Sequence, residues 1–144
     1  TDYYGFKKAI APLLKEHHKK ALILGTGGAS KAVAYALRKL KIEYDFVSRT
    51  PDEFQFSYAE LNATIFEEYS IIINTTPLGT FPKINDCPDL NYSLFTKKHI
   101  AFDLVYNPEE STFLQKAKEH SAKTKNGYEM LVFQAEKAWK IWND

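Results

Sequence analysis

The tightest constraint in this sequence is a glycine-rich turn set between a short apolar run and an amphipathic segment. Residues 21–24, Ala-Leu-Ile-Leu, follow two lysines and stop at Gly25. A short continuous apolar run bounded by charge and a turn reads as a strand buried on both faces. Gly25-Thr26-Gly27-Gly28-Ala29-Ser30 comes next, and Ala32, Val33, Ala36, Leu37 and Leu40 then recur on one face of a helix. Each small residue of such a turn has its own reason. Gly25 permits the tight bend, Gly27 lets backbone approach a pyrophosphate with no Cβ in the way, and Ser30 is small enough for helix and strand to pack closely. Backbone N–H groups of Gly27, Gly28, Ala29 and Ser30 would then face phosphate at the positive end of the helix. The bland alternative is an ordinary glycine turn, which the strand-turn-helix setting makes the weaker reading.

The rest of the chain repeats the alternation. Residues 4–17 carry Phe6, Ile10, Leu13 and Leu14 at helical spacing, with Pro12 predicting a bend or an early break. Residues 44–47 read as a second strand and residues 54–66 as a short helix and loop. Ile71-Ile72-Ile73 is the clearest strand, because β-branched side chains fit a pleated sheet. A polar loop with Pro77, Gly79, Pro82 and Pro88 follows. Residues 99–105 then read as a strand, 110–120 as a helix, 123–126 as a short edge strand and 129–142 as a final helix. Strands alternating with helices imply βαβ units and a mostly parallel sheet. The predicted fold class is α/β, a Rossmann-like doubly wound domain over residues 1–144 with helices on both faces.

Composition narrows the function. A net charge of +1 over 144 residues provides no field for nucleic acid or an anionic membrane, and the lysine pairs are short surface runs. No segment has the apolar length of a membrane-spanning helix. Cys87 is the only cysteine, so no disulfide forms within the chain and a reducing, cytoplasmic setting is expected. The four histidines have no ligand-spaced Cys or carboxylate partners, and no metal site is expected. His17 and His18 read as a solvated helix end.

The tip of the second strand decides which dinucleotide such a turn takes. An enzyme for NAD places Asp or Glu there, about 20 residues past the glycines, to accept from the ribose hydroxyls. This chain instead has Ser48-Arg49-Thr50, and Arg49 has the planar donors that suit a 2′-phosphate. Asp52 and Glu53 follow closely and would weaken a phosphate site if they pointed inward. The expected cofactor is NADP(H).

With these residues in view the chain resembles the shikimate dehydrogenases. Gly25 to Ser30 is similar to their glycine loop, and Ser48-Arg49-Thr50 to their Asn-Arg-Thr. Asn74-Thr75-Thr76-Pro77-Leu78-Gly79 resembles their Asn-Ala/Thr-Thr-Pro-Leu-Gly segment, and Asp103 to Pro108 their Asp-x-x-Tyr-x-Pro element. Gly127-Tyr128-Glu129-Met130-Leu131-Val132-Phe133-Gln134 resembles their Gly-x-x-Met-Leu-x-x-Gln signature, and Thr1-Asp2 with Gly5 the end of Asn-Thr-Asp-x-x-Gly. These elements stand in the family's order along the whole chain.

The resemblance implies reversible reduction of 3-dehydroshikimate to shikimate with NADPH. It makes Asp2 a catalytic, substrate-contacting carboxylate that works with a lysine. It makes Tyr106 and Gln134 substrate contacts, and it places Thr75, Thr76, Leu104 and Gly127 along the cofactor beside Thr26 and the glycines. Without it, Asp2 reads as a helix cap, Tyr106 as a strand-end aromatic and Gln134 as a satisfied polar group at a domain seam. The chain opens on Thr1 within the Asn-Thr-Asp motif, and the family's lysine precedes that motif. The expectation is therefore a nucleotide-binding portion of a longer protein, inactive alone, with the helices at 4–17 and 129–142 joining it to a substrate domain. Apolar residues Phe6, Ile10, Phe133, Trp139, Ile141 and Trp142 on those helices predict self-association of the lone chain. Other readings of the residues are an NAD-using quinate/shikimate dehydrogenase, a glutamyl-tRNA reductase and a non-enzymatic dinucleotide sensor.

Overall fold

The structure, a computed structural model, describes residues 2–143, with side chains from Tyr3 onward. Its strands are β1 (Lys20–Leu24), β2 (Glu43–Ser48), β3 (Phe56–Ser57), β4 (Ile71–Asn74), β5 (Ile100–Asp103) and β6 (Lys123–Lys125). They form one sheet in the order β3-β2-β1-β4-β5-β6, and every pairing is parallel. The helices are α1 (Asp2–Ile10), α2 (Gly28–Lys39), α3 (Ala63–Glu68), α4 (Thr112–Lys118) and α5 (Tyr128–Asn143). The order reverses between β1 and β4, which opens a crevice at the carboxyl ends of the strands.

Alternation along the strands divides the core. Ala21, Ile23, Ile71, Ile73, Ile100 and Phe102 face α1 and α2, joined by Phe6, Ile10, Val33 and Leu37. Leu22, Leu24, Ile72 and Ala101 face the other way, onto Phe66, Phe113 and Leu114 from α3 and α4. The three isoleucines of β4 are all fully buried because each face of the sheet has a helical layer.

Several elements depart from the sequence reading. The first helix stops at Ile10 rather than running to residue 17. Pro12 turns the chain into a single 3-10 turn over Ala11–Leu13, where its missing N–H does no harm. His18 is buried and not part of a solvated helix end. Its Nδ1 accepts from Lys15 N–H at 2.8 Å, and its Nε2 lies 2.9 Å from the Lys98 carbonyl, tying the α1–β1 connection to the start of β5. The weak stretch after Thr50 contains β3. Two residues give no periodicity to read, and the strand exists because Val47 and Ser48 offer a free edge to Phe56 and Ser57. Phe6 and Ile10 are fully buried against the sheet, so the exposed apolar surface of the terminal helices lies on α5 alone, at Tyr128, Leu131, Trp139, Ile141 and Trp142. No helix among the described residues is long and apolar enough to cross a membrane.

Candidate functional site

Backbone hydrogen bonds stitch the carboxyl ends of the strands into a ledge. Gly25 N–H donates to the Val47 carbonyl (3.0 Å), Thr75 to Leu24 (3.0 Å), Leu104 to Asn74 (3.1 Å) and Gly127 to Val105 (3.2 Å). Thr75 Oγ1 also donates to the Leu24 carbonyl at 2.6 Å, which locks the tip of β4 to that of β1. Gly25 has φ +106°, where side chains are strained, and a Cβ there would come within 2.8 Å of Thr75 Oγ1. This glycine is required twice over, by its conformation and by the threonine beside it.

Two cavities open along the ledge, on either side of Thr75, Thr76 and Pro77. The larger, about 860 Å³, is lined by Gly25, Thr26 and Gly27, by Ser48, Arg49 and Thr50 at the tip of β2, and by Ser57, Tyr58, Cys87 and Asp89. The smaller, about 470 Å³, is lined by Ala29, Leu104, Val105, Tyr106 and Asn107, with Thr80 and Phe81 from the loop after β4. Gly27 caps α2 in an extended conformation. A Cβ built at Gly27 or Gly28 would meet nothing within 4 Å, so the space over the helix N-terminus is left clear. Arg49 is exposed, and among the described residues its guanidinium makes no hydrogen bond or ion pair. A free cation at one end and an uncovered helix N-terminus beside it are what a phosphorylated dinucleotide needs.

Asp52 and Glu53 are exposed and line neither cavity, and Asp52 Oδ1 accepts from Phe54 N–H at 2.8 Å within the turn that follows β2. Ser48 is likewise occupied, accepting from Thr50 N–H at 3.1 Å and shaping the turn that presents Arg49. Ser30 is fully buried. Both its N–H and its hydroxyl donate to the Gly27 carbonyl, so its part is to close the turn against the sheet.

Among the other residues singled out in the sequence, Tyr106 is half exposed in the smaller cavity with Leu104, Thr75 and Thr76. Gly127 is buried outside both cavities. A Cβ there would lie 2.1 Å from the Leu104 carbonyl oxygen, so the glycine lets the start of α5 settle on the end of β5. Gln134 lies on α5 at the crossing with α1, where a Cβ on Gly5 would come within 2.4 Å of its Cγ. It lines neither cavity. Asp2 opens α1, and its side chain is outside the described residues. Among the described residues no group of three or more His, Cys, Asp or Glu is placed to hold a metal ion.

A buried polar network behind the ledge was not singled out from sequence. Asp103, fully buried at the end of β5, accepts from Asn74 Nδ2 (3.2 Å) and Val105 N–H (3.0 Å) on one oxygen and from Ser111 Oγ on the other. Asn74 Oδ1 in turn accepts from Thr76 N–H (3.0 Å) and Thr76 Oγ1 (2.7 Å). Burial raises the Asp103 carboxyl to about 6, against the pull of these three donors. The network joins the walls of the smaller cavity: Thr76 hangs from Asn74, and Val105 from Asp103. Tyr58, Cys87 and Asp89 were also unassigned. Tyr58 enters the site from the 3-10 turn that follows β3, and the other two from the long proline-rich loop, none of which has a periodic signal.

Fold and site together define a dinucleotide-binding Rossmann domain. No family model matches the chain. It is 37% identical to the NADP(+) shikimate dehydrogenase of Caldicellulosiruptor saccharolyticus, covering 100% of the chain and 57% of that protein. The shikimate 5-dehydrogenase fused to chorismate mutase from Clostridium acetobutylicum superimposes with a TM-score of 0.85 at 35% identity, over 99% of this chain and 55% of that one. The Thermus thermophilus enzyme, solved with NADP(H) and shikimate, gives 0.81 at 31% identity over 98% and 55%. Throughout its length the chain is homologous to the shikimate dehydrogenases, and it spans little more than half of the relatives it matches.

Proposed function

We propose that this chain forms the NADP-binding portion of a shikimate dehydrogenase, reducing 3-dehydroshikimate to shikimate in the intact protein. The observation that carries the cofactor reading is the larger cleft. It combines an uncovered helix N-terminus at Gly27 and Gly28 with an unpaired Arg49 at the tip of the next strand. In this reading Gly25, Thr26, Gly27 and Gly28 cradle the pyrophosphate and Arg49 holds the 2′-phosphate. Ala29, Thr75, Thr76 and Leu104 border the nicotinamide end, and Gly127 acts from behind them by letting α5 settle against Leu104. When bound, NADPH supplies the hydride that the C3 carbonyl receives. Tyr106 and Gln134 hold the substrate ring, and Asp2 acts on the proton of the developing alcohol together with the family's lysine, which no residue of this chain matches.

The same reading makes the 144-residue chain alone a binder of dinucleotide that does not turn over shikimate. Positioning of ketone and proton donor contributes about 7–11 kcal/mol to such a barrier, and much of it comes from the rest of the protein. It also makes α5, with its exposed tryptophans, the surface through which the lone chain self-associates.

Arg49→Ala tests the central claim. A charge-assisted phosphate contact contributes about 1.5–3 kcal/mol, so NADPH affinity should fall tenfold or more while NADH affinity changes little. Equal losses for the two dinucleotides in paired titrations would remove Arg49 from the 2′-phosphate. Oxidation of quinate with NAD in preference to shikimate with NADP, by the intact protein, would reassign the substrate.

A further inference from the structure

The adenosine end of the larger cleft carries more charge than Arg49. Five carboxylates, Asp52, Glu53, Glu60, Asp86 and Asp89, lie on the segments that reach it, and of these Asp89 alone lines the cleft. Asp52 accepts from Phe54 N–H and belongs to its own turn. Glu60 accepts from Ser57 N–H at 2.7 Å in a reciprocal capping box, so it too is held by backbone. Asp89 is different. It lines the cleft, is exposed, and among the described residues makes no hydrogen bond or ion pair.

Nor is Asp89 a loose surface carboxylate. Pro88 before it is buried, and its carbonyl accepts from the Tyr92 hydroxyl at 2.8 Å and from Leu90 N–H at 2.9 Å. The backbone on either side of Asp89 is therefore anchored, and the residue lines the cleft from the β4–β5 loop. Arg49 lines the same cleft from the tip of β2. Both act electrostatically on the same half-buried Tyr58 hydroxyl, with opposite signs. No ion pair joins Asp89 to Arg49. One unpaired cation and one unpaired anion thus share a cleft.

The two dinucleotides differ at this end alone. NADP brings a 2′-phosphate with close to two negative charges, whereas NAD brings a neutral hydroxyl, and the pyrophosphate is common to both. A carboxylate lining the cleft repels the first and is nearly indifferent to the second. We propose that Asp89 is a specificity-determining residue of the adenosine end, opposing Arg49 so that the preference of the cleft for NADP(H) over NAD(H) is smaller than the cation alone would give. The inference rests on the dinucleotide reading of the cleft and goes beyond it, since that reading assigns only the cation.

The test is Asp89→Asn and Asp89→Ser in the intact protein, each titrated with NADPH and NADH at low and physiological ionic strength. Both variants should bind NADPH about three- to tenfold more tightly at low salt, with the gain shrinking as salt screens the charge, while NADH affinity stays within about twofold. No gain for NADPH at low salt overturns the inference, as does an equal shift for both cofactors. Weaker binding of both cofactors by the Ser variant would make Asp89 an acceptor for the adenine amino group instead. If the wild-type protein binds neither dinucleotide, the reading of the cleft itself fails, an outcome distinct from a cleft that binds both and ignores residue 89.

Discussion

At Asp103, burial and hydrogen bonding pull in opposite directions, and burial wins. Its carboxyl rises from an ordinary 3.8 to about 6 despite three donors. A carboxyl whose value is raised by folding stabilises the protein while it is protonated, and that contribution is lost as pH climbs through the folded value. The span of roughly two units corresponds to about 3 kcal/mol. Asp103→Asn has no such titration, and its amide can still accept from Val105 N–H while donating to Ser111 Oγ. The stability of the wild type relative to this variant should therefore fall by about 3 kcal/mol between pH 4 and pH 6.5 and level off above that. Denaturant midpoints for both proteins across this range measure it. A flat difference would mean that Asp103 titrates as if solvated. Asn74 and Asp103 were legible as parts of motifs. Their joint role was not, because 29 residues separate them and only the β4–β5 register brings them together.

Between elements, the decisive contacts are two places where a helix comes too close for a Cβ. Gly5 lets α1 cross α5 with a would-be Cβ only 2.3 Å from the Met130 carbonyl oxygen, and Gly127 seats α5 on β5. Gly5→Ala must push the helices apart, and overpacking of this kind costs about 1–3 kcal/mol or more. Gly27→Ala adds the same methyl into open space and should change stability by less than about 1 kcal/mol. Chemical denaturation of the two variants checks the contrast, and equal losses would mean that α1 and α5 do not meet at Gly5. The glycine turn and its strand-turn-helix setting were readable from the local sequence. The early end of α1 was readable from Pro12 in kind but not in position. β3 was not readable, since a two-residue strand exists only by pairing.

For the whole molecule, the unequal treatment of the terminal helices matters most. α1 buries Phe6 and Ile10 completely, whereas α5 leaves Trp139 70%, Ile141 59% and Trp142 89% exposed. Side chains of that size in such exposure mark a surface that another body covers. The 144-residue chain by itself is expected to self-associate, and replacing Trp139 and Trp142 with Ser is expected to return it to monomer. Sedimentation across a range of concentrations decides this. A strictly monomeric wild-type chain at high concentration would show that α5 tolerates water unaided.

The sequence by itself determined the α/β class, the glycine turn, the cation at the tip of β2 and the family resemblance. All of these depend on residues close together in the chain, where spacing alone encodes periodicity, bend and charge. Only the tertiary structure decided that Asp52 and Glu60 are tied to backbone while Asp89 is free in the cleft. The same holds for the coupling of Asn74 through Asp103 to Ser111, and for the burial of Phe6 and Ile10 where Trp142 is left outside. Those outcomes depend on which side chains a folded backbone brings within a few ångströms of one another. Hydrogen bonding, desolvation and repulsion act over that distance, and separation along the sequence does not measure it.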